Sequence, residues 1–334
     1  MPNPSKLRVG IIGAGQITSS VHLPVLCASN QMFDVRWIYD VNLKSNNEIA
    51  RQFRITPLAQ LDNQSAVEHI DIVLLATPVF ARRDYLMLCA ERQVHVLVEK
   101  PFALTASEHV DYVSLFTASR IYCGYMRRVY KTTMILKKFI DWGTFGHLKK
   151  VTYQEGGRTT SASGNSKTLD LPHTSGGGVL RDLGCHGIDL LLYLTGATDF
   201  AVEKKSIEWD DETDREVSAD LILKNPYDGR EIETSFLVSW LNSTPNEIIF
   251  EFDTTDIKIG IKPDSEMLLR DRKHEGDWYS LNIDINGAVS PYQAFYLEWL
   301  NVFRNITTDA PSEFLATKCR STTELVDLIY SANK

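Results

Sequence analysis

The chain has 334 residues, 43% of them hydrophobic and 23% charged, with a formal net charge of −8. That length suits two or three domains with sizeable cores, and the acidic balance argues against nucleic acid as a partner, since a nucleic-acid binder presents a basic face. No apolar run approaches the roughly 20 residues needed to span a bilayer, which argues against a membrane protein.

The opening MPNPSKLR lacks the apolar core of a secretory signal. Five cysteines (Cys27, Cys89, Cys123, Cys185, Cys319) are scattered without a CxxC pair. The expectation is reduced thiols in the cytoplasm, without a disulfide frame or a metal site.

Runs rich in Val, Ile and Leu predict strands at Leu7–Ile12, Val35–Tyr39, Ile70–Ala76, Val94–Val98 and Ile121–Gly124. They show little polar alternation, as expected of parallel strands covered on both faces. Helices are predicted between them at Leu43–Phe53, Arg82–Arg92 and Ser107–Phe116, and this alternation implies an α/β fold with a doubly wound parallel sheet.

Beyond Gly124 the pattern changes. A helix at Thr132–Trp142 and a strand at Leu148–Glu155 precede a polar loop, Arg158–Thr174. Then come Gly176-Gly177-Gly178 and an apolar helix to about Leu194, stopped by Gly196. Segments 200–209, 217–224, 231–240, 247–253, 256–262 and 266–272 alternate with turns such as Asp228-Gly229. They predict an open, mainly antiparallel sheet in a C-terminal α+β domain. Helices at Tyr292–Asn305 and Glu313–Ser331 close the chain. The expected organisation is a nucleotide-binding domain, 1–125, and a substrate-binding and oligomerisation domain, 126–334.

The first strand runs into Gly13-Ala14-Gly15-Gln16-Ile17-Thr18. Glycines permit a tight turn and close approach of backbone to a pyrophosphate, which a following helix N-terminus favours. The third glycine position is Thr18, and Pro24 is expected to break a helix running on from the loop. Asp40 ends the second strand, where a carboxylate can accept from both ribose hydroxyls and repel a 2′-phosphate. No arginine adjoins it, so NAD is expected over NADP.

Glu99-Lys100-Pro101 follows the strand VHVLV, and strand C-termini of a doubly wound sheet face the ligand. Lys100 there can steer a hydroxyl proton, or can simply pair with Glu99. Asp182 and His186, four apart on a predicted helix, share a face. The aspartate can orient the imidazole as general base, or the two can be a buried structural pair. Asp189 is either a second partner or a helix-stabilising polar group. Arg127, Arg128, Arg158 and His173 can hold a phosphate or carboxylate, or be solvated surface charge.

GIIGAGQI (10–17), HLP (22–24), Asp40, ATP (76–78), EKP (99–101), GYMRR (124–128) and GGGVLRDLGCHGIDLLLYLTG (176–196) occur in order over nearly the whole chain. Together they resemble the Gfo/Idh/MocA oxidoreductases, which include glucose–fructose oxidoreductase and inositol dehydrogenase. The resemblance implies a Rossmann domain followed by an open antiparallel sheet with helices on one face. It implies cofactor contacts at Gly13, Gly15, Gln16, Ile17, Asp40, Thr77, Pro78, Glu99 and Lys100. It implies catalytic roles for Lys100, Asp182 and His186, and it places Tyr125, Arg127 and Arg128 toward the substrate or nicotinamide. The chain departs from the pattern at Arg82, often histidine, at Gln93, often glycine, and near Lys131, where a proline is usual.

The expected function is transfer of a hydride between NAD and a secondary alcohol of a sugar, polyol or nucleotide sugar. Substrate contacts are expected from Tyr125, Arg127, Arg158 and His186, and a homo-oligomer, dimer or tetramer, is expected from the open sheet. The alternatives are a non-catalytic dinucleotide sensor on the same fold and an NAD-dependent glycosidase.

Overall fold

A computed structural model describes residues 6–61, 69–117, 119–157, 177–273 and 276–331. Arg158, His173 and the polar loop expected at Arg158–Thr174 lie outside them. Two compact units divide the chain: Met1–Met126 with Phe295–Arg320, and Arg127–Ala294 with Ser321–Lys334.

In the first unit, six strands form one parallel sheet in the order β3-β2-β1-β4-β5-β6. They are β1 (Leu7–Ile12), β2 (Phe33–Tyr39), β3 (Thr56–Pro57), β4 (Ile72–Leu75), β5 (His95–Val98) and β6 (Ile121–Cys123). The order reverses between β1 and β4, the switch point at which such sheets bind ligands. Val9, Ile11, Val73, Leu74 and Val96 are wholly buried, as the unbroken apolar runs require. Helices α1 (Leu23–Ala28), α2 (Leu43–Phe53), α3 (Arg82–Glu91) and α4 (Ala106–Ser114) alternate with the strands. The Asn42 side chain accepts from the backbone N–H groups of Lys44 and Ser45, capping α2 where the sequence places its start.

Pro24 does not break the first helix. Thr18–His22 forms a π turn that leads directly into α1, and Leu23 N–H bonds to Thr18 O. The widened turn shifts the hydrogen-bond register, so Pro24 falls in the first turn of α1, where its missing N–H costs nothing. Gln93 has φ 50°, which accounts for the usual glycine there. Its amide nitrogen donates to the carbonyls of Ala90 and Leu115, and its amide oxygen accepts from Thr117 N–H. These bonds offset the strain of a left-handed glutamine.

The second unit begins with α5 (Lys131–Asp141) and β7 (Leu148–Gly156). A π turn, Leu180–Gly184, leads into α6 (Cys185–Thr195). Next come β8 (Phe200–Asp210), β9 (Thr213–Lys224), β10 (Glu231–Ser239), β11 (Glu247–Phe252), β12 (Thr255–Gly260), β13 (Met267–Asp271) and β14 (Tyr279–Leu281). The eight-stranded sheet has the order β14-β13-β12-β11-β7-β10-β9-β8 and is antiparallel except where β7 pairs with β10. That parallel pair needs a crossover, and α6 lies within it. Burial alternates: Ile232, Thr234, Phe236 and Val238 of β10 are buried, whereas Glu231, Glu233, Ser235 and Leu237 are not.

Two helices close the chain, α7 (Pro291–Thr308) and α8 (Arg320–Ser331). The first compact unit runs to Met126, beside the boundary expected near residue 125, and Phe295–Arg320 clusters with it. Trp299 and Phe303 meet Phe33 edge-on at 5.2 and 5.6 Å, Asn305 accepts from the Tyr122 hydroxyl, and Phe314 O accepts from Cys123 N–H. No helix among the described residues is long and apolar enough to cross a membrane.

Candidate functional site

The glycine loop is folded by local demands. Gly13 has φ 108°, and a Cβ there would collide with the Ala76 carbonyl, so only glycine fits. Thr18, in place of a third glycine, donates its hydroxyl to Gly13 O at 2.7 Å. Ala14 N–H donates to one Asp40 oxygen at 2.6 Å and Asn42 N–H to the other at 2.7 Å. Each carboxylate oxygen therefore keeps acceptor capacity for a hydroxyl. Gly15 is exposed, and a Cβ built there would meet nothing within 4 Å. Thr77 at the end of β4 has a buried hydroxyl oxygen with no hydrogen-bond partner among the described residues. An open glycine cradle, an available carboxylate and an orphaned hydroxyl at the switch point fit a dinucleotide.

At the end of β5 the Glu99 carboxylate accepts from Lys100 N–H at 3.0 Å, and Lys100 itself is half-buried. His22 Nε2 lies 2.7 Å from the other Glu99 oxygen, while Trp299 Nε1 donates to His22 Nδ1 at 3.0 Å. An indole N–H can only donate, so Nδ1 accepts, and Nε2 carries the ring proton and donates to the Glu99 carboxylate. Burial alone would raise the Glu99 carboxyl. The His22 hydrogen bond and the charges of Lys100 and Arg82 outweigh it, holding the carboxyl below its ordinary range.

Glu298 of α7 lies beside this network, wholly buried, and neither of its oxygens has a hydrogen-bond partner among the described residues. A Cβ on Gly124 would lie 3.5 Å from a Glu99 oxygen and 3.6 Å from a Glu298 oxygen, so the two acids face the same gap. Burial, and then the charge of Glu99, push the Glu298 carboxyl well above the usual range. Arg82 is 2% exposed and spends its guanidinium on backbone carbonyls of Thr77, Pro101 and Phe102. Tyr125 is buried in the same unit.

In the second unit Asp182 lies half-buried in the π turn and His186, 7% exposed, opens α6. The backbone stays helical through both, with Asp182 in the widened turn and His186 on the regular helix that continues it. Asp214 of β9 anchors that turn: its two oxygens accept from Gly178 N–H and Leu180 N–H, each at 2.8 Å. Tyr330 adds a hydroxyl donor to the same carboxylate at 2.8 Å. Gly187 brings α6 onto the sheet, since a Cβ there would collide with the Tyr153 ring.

The arginines of GYMRR are committed within the protein. Arg127, buried, reaches both oxygens of Glu155 at 2.7 and 2.9 Å and the Tyr153 hydroxyl at 3.1 Å. Burial opposes its charge, but Tyr153 and Glu155 prevail and hold the guanidinium above its ordinary range. Arg128 pairs with both oxygens of Asp189, which also accepts from Thr322. Asp189 therefore serves Arg128.

Sequence reasoning gives His22, within HLP, no role of its own, and it misses Glu155, Asp214, Glu298 and Trp299. A glutamate among Phe295, Leu297, Trp299 and Leu300 is the available signal for Glu298, since an acid on an apolar helix face needs a reason.

Two family profiles match the chain: an oxidoreductase family with an NAD-binding Rossmann fold over residues 7–123, and the Gfo/Idh/MocA C-terminal domain over 133–256. The chain belongs to the Gfo/Idh/MocA oxidoreductase family. It is similar to UDP-N-acetylglucosamine 3-dehydrogenase of Acidithiobacillus ferrooxidans, 26% identical over 193 residues, 57% of this chain and 55% of that one. The chain thus spans about half the length of the curated relatives it matches. Levoglucosan dehydrogenase, solved with NADH and levoglucosan, shares the fold with a TM-score of 0.83 at 17% identity, over 98% of this chain and 97% of that one. A 3-ketoreductase from Actinomadura kijaniata, solved with NADP and TDP-benzene, does so with a TM-score of 0.79 at 16% identity, over 98% of each.

Proposed function

We propose that the protein is an NAD-dependent oxidoreductase that transfers a hydride between the nicotinamide and a secondary alcohol of a sugar, polyol or nucleotide sugar. The observation that carries this reading is the Asp40 carboxylate, held against the glycine loop by Ala14 N–H at 2.6 Å. Placed there, it favours two ribose hydroxyls and opposes a 2′-phosphate, which supports NAD over NADP. Gly13, Gly15, Gln16 and Ile17 are assigned to the pyrophosphate side, and Thr77, Pro78, Glu99 and Lys100 to the remainder of the cofactor. The dinucleotide, when bound, supplies the hydride acceptor or donor.

In the first unit Lys100 is assigned the task of orienting the substrate oxygen and stabilising negative charge as it develops there. In the second, His186 accepts the alcohol proton, with Asp182, four residues earlier, favouring the charged imidazole. Arg127 is assigned to the frame of the second unit, because both its terminal nitrogens are committed to Glu155 and Tyr153. Tyr125 and Arg158 remain assigned to substrate. The half-exposed face of the eight-stranded sheet is assigned to self-association as a dimer or tetramer, and the site of action to the cytoplasm.

The test is a screen of polyols, sugars and nucleotide sugars with NAD and with NADP, followed by NADH absorbance. Turnover with NAD and one of these classes is expected. Tight NADH binding with no turnover of any class would overturn the enzymatic reading in favour of a dinucleotide sensor.

A further inference from the structure

Arg82 sits where the resemblance leads one to expect histidine, and its surroundings are unusual for a buried cation. Its Nε and Nη2 donate to Thr77 O at 3.2 and 2.9 Å. Its Nη1 donates to Pro101 O and, at 3.3 Å, to Phe102 O. Among the described residues no carboxylate forms a salt bridge with it, and Glu99 is the one carboxylate among the groups that act on it through space. Desolvation accordingly pulls its pKa down, with Cys123, Glu99, Tyr125 and Tyr112 opposing. A cation kept at that cost, and satisfied by carbonyls alone, serves by what it ties together. Thr77 follows β4, and Pro101 and Phe102 follow β5. These are neighbouring strands on the side of the switch point away from Asp40.

We propose that Arg82 is a positioning residue that fixes the turn after β4 to the Lys100–Pro101 turn after β5, and so sets the placement of Thr77 and Lys100 toward the nicotinamide half of the cofactor. The planar fork suits the task, because its nitrogens diverge toward acceptors on two different turns. A lysine ammonium is a point donor and cannot span the same carbonyls. The orphaned Thr77 hydroxyl fits the same role: its backbone carbonyl is held from inside while its side chain awaits a partner. This inference rests on the dinucleotide reading above.

The test compares Arg82→Lys and Arg82→Gln with the unaltered protein, using two probes. NADH is followed by its own fluorescence, and ADP-ribose, which lacks the nicotinamide, by competition. Circular dichroism and thermal melting report folding. Arg82→Gln is expected to weaken NADH at least tenfold and Arg82→Lys at least threefold, with ADP-ribose affinity within twofold in both. Equal weakening of the two probes, or no weakening of either, overturns the proposal. So does failure of Arg82→Lys to fold, which would assign Arg82 to stability alone. The unaltered protein failing to bind NADH would defeat the cofactor reading itself, and absence of turnover would defeat only the activity, since both measurements here are of binding.

Discussion

The backbone N–H of Ala14 donates to the Asp40 carboxylate at 2.6 Å, closing the glycine loop after β1 onto the end of β2. One carboxylate thus supports the loop, and in the proposed reading it also receives a ribose. Replacing Asp40 with Ala is expected to weaken NADH about 10- to 100-fold, the worth of charge-assisted hydrogen bonds of ~1.5–3 kcal/mol. NADPH should be affected less, since a repulsion is removed with the attraction. Fluorescence titration with both cofactors measures this, and an unaltered protein that prefers NADPH would contradict it.

Lys100→Met should leave NADH binding measurable while turnover falls by orders of magnitude, as should His186→Gln. Loss of a positioned proton-handling group typically costs about 10²–10⁴-fold. Steady-state rates on the substrate found by screening decide the matter, and undiminished turnover in either variant removes that residue from the mechanism.

Glu298 gives a pH signature in stability. Its folded-state pKa lies above its unfolded value, so between the two the folded chain holds a proton that the unfolded chain has released. Its stability contribution is therefore complete below the unfolded value, about 4.3, and declines as pH rises through the folded value. Glu298→Gln cannot titrate. The variant should melt above the parent at about pH 8, with the gap closing toward pH ~5 at no more than about 1.4 kcal/mol per pH unit, the slope for one proton. Parallel melting profiles for the two proteins would show that Glu298 does not hold a raised pKa.

Asp214→Ala removes the acceptor for Gly178 N–H, Leu180 N–H and the Tyr330 hydroxyl. Each stranded donor costs on the order of 1–3 kcal/mol, so thermal melting should fall by several degrees. Tyr330→Phe, which strands no donor, should cost less. Because Asp182 lies in the anchored turn and His186 on the helix that continues it, Asp214→Ala should also lower turnover while NADH affinity is retained. A variant with unaltered turnover would confine Asp214 to stability.

The elements readable in the sequence are those whose cause is local. Leu7–Ile12 is an uninterrupted apolar run, and α2 carries its own Asn42 cap, so both have the bounds expected. β3 and β14, two and three residues long, have no pattern of their own and exist through the strands they pair with. Pro24 misled because a local rule about the regular helix cannot anticipate a π turn that shifts the register. Arg127 and Asp189 carried several readings in sequence. Their partners, Glu155 and Arg128, lie 28 and 61 residues away, and pairing at that range is set by packing.

For the opening loop and Asp40, the sequence by itself determined most of what can be said: the strand, the φ > 0 glycine and the terminal acid are short-range consequences of residue type. Only the tertiary structure decided what surrounds Glu99. His22, Glu99, Arg82, Glu298 and Trp299 come from positions 22 to 299 and meet because α7 returns to the first unit. Their surroundings then change what each can do: the His22 hydrogen bond and nearby cations hold Glu99 below its ordinary range against burial, while burial and the charge of Glu99 push Glu298 above its own. Charge state in a dry interior depends on neighbours and solvent access, and a linear pattern of residues specifies neither.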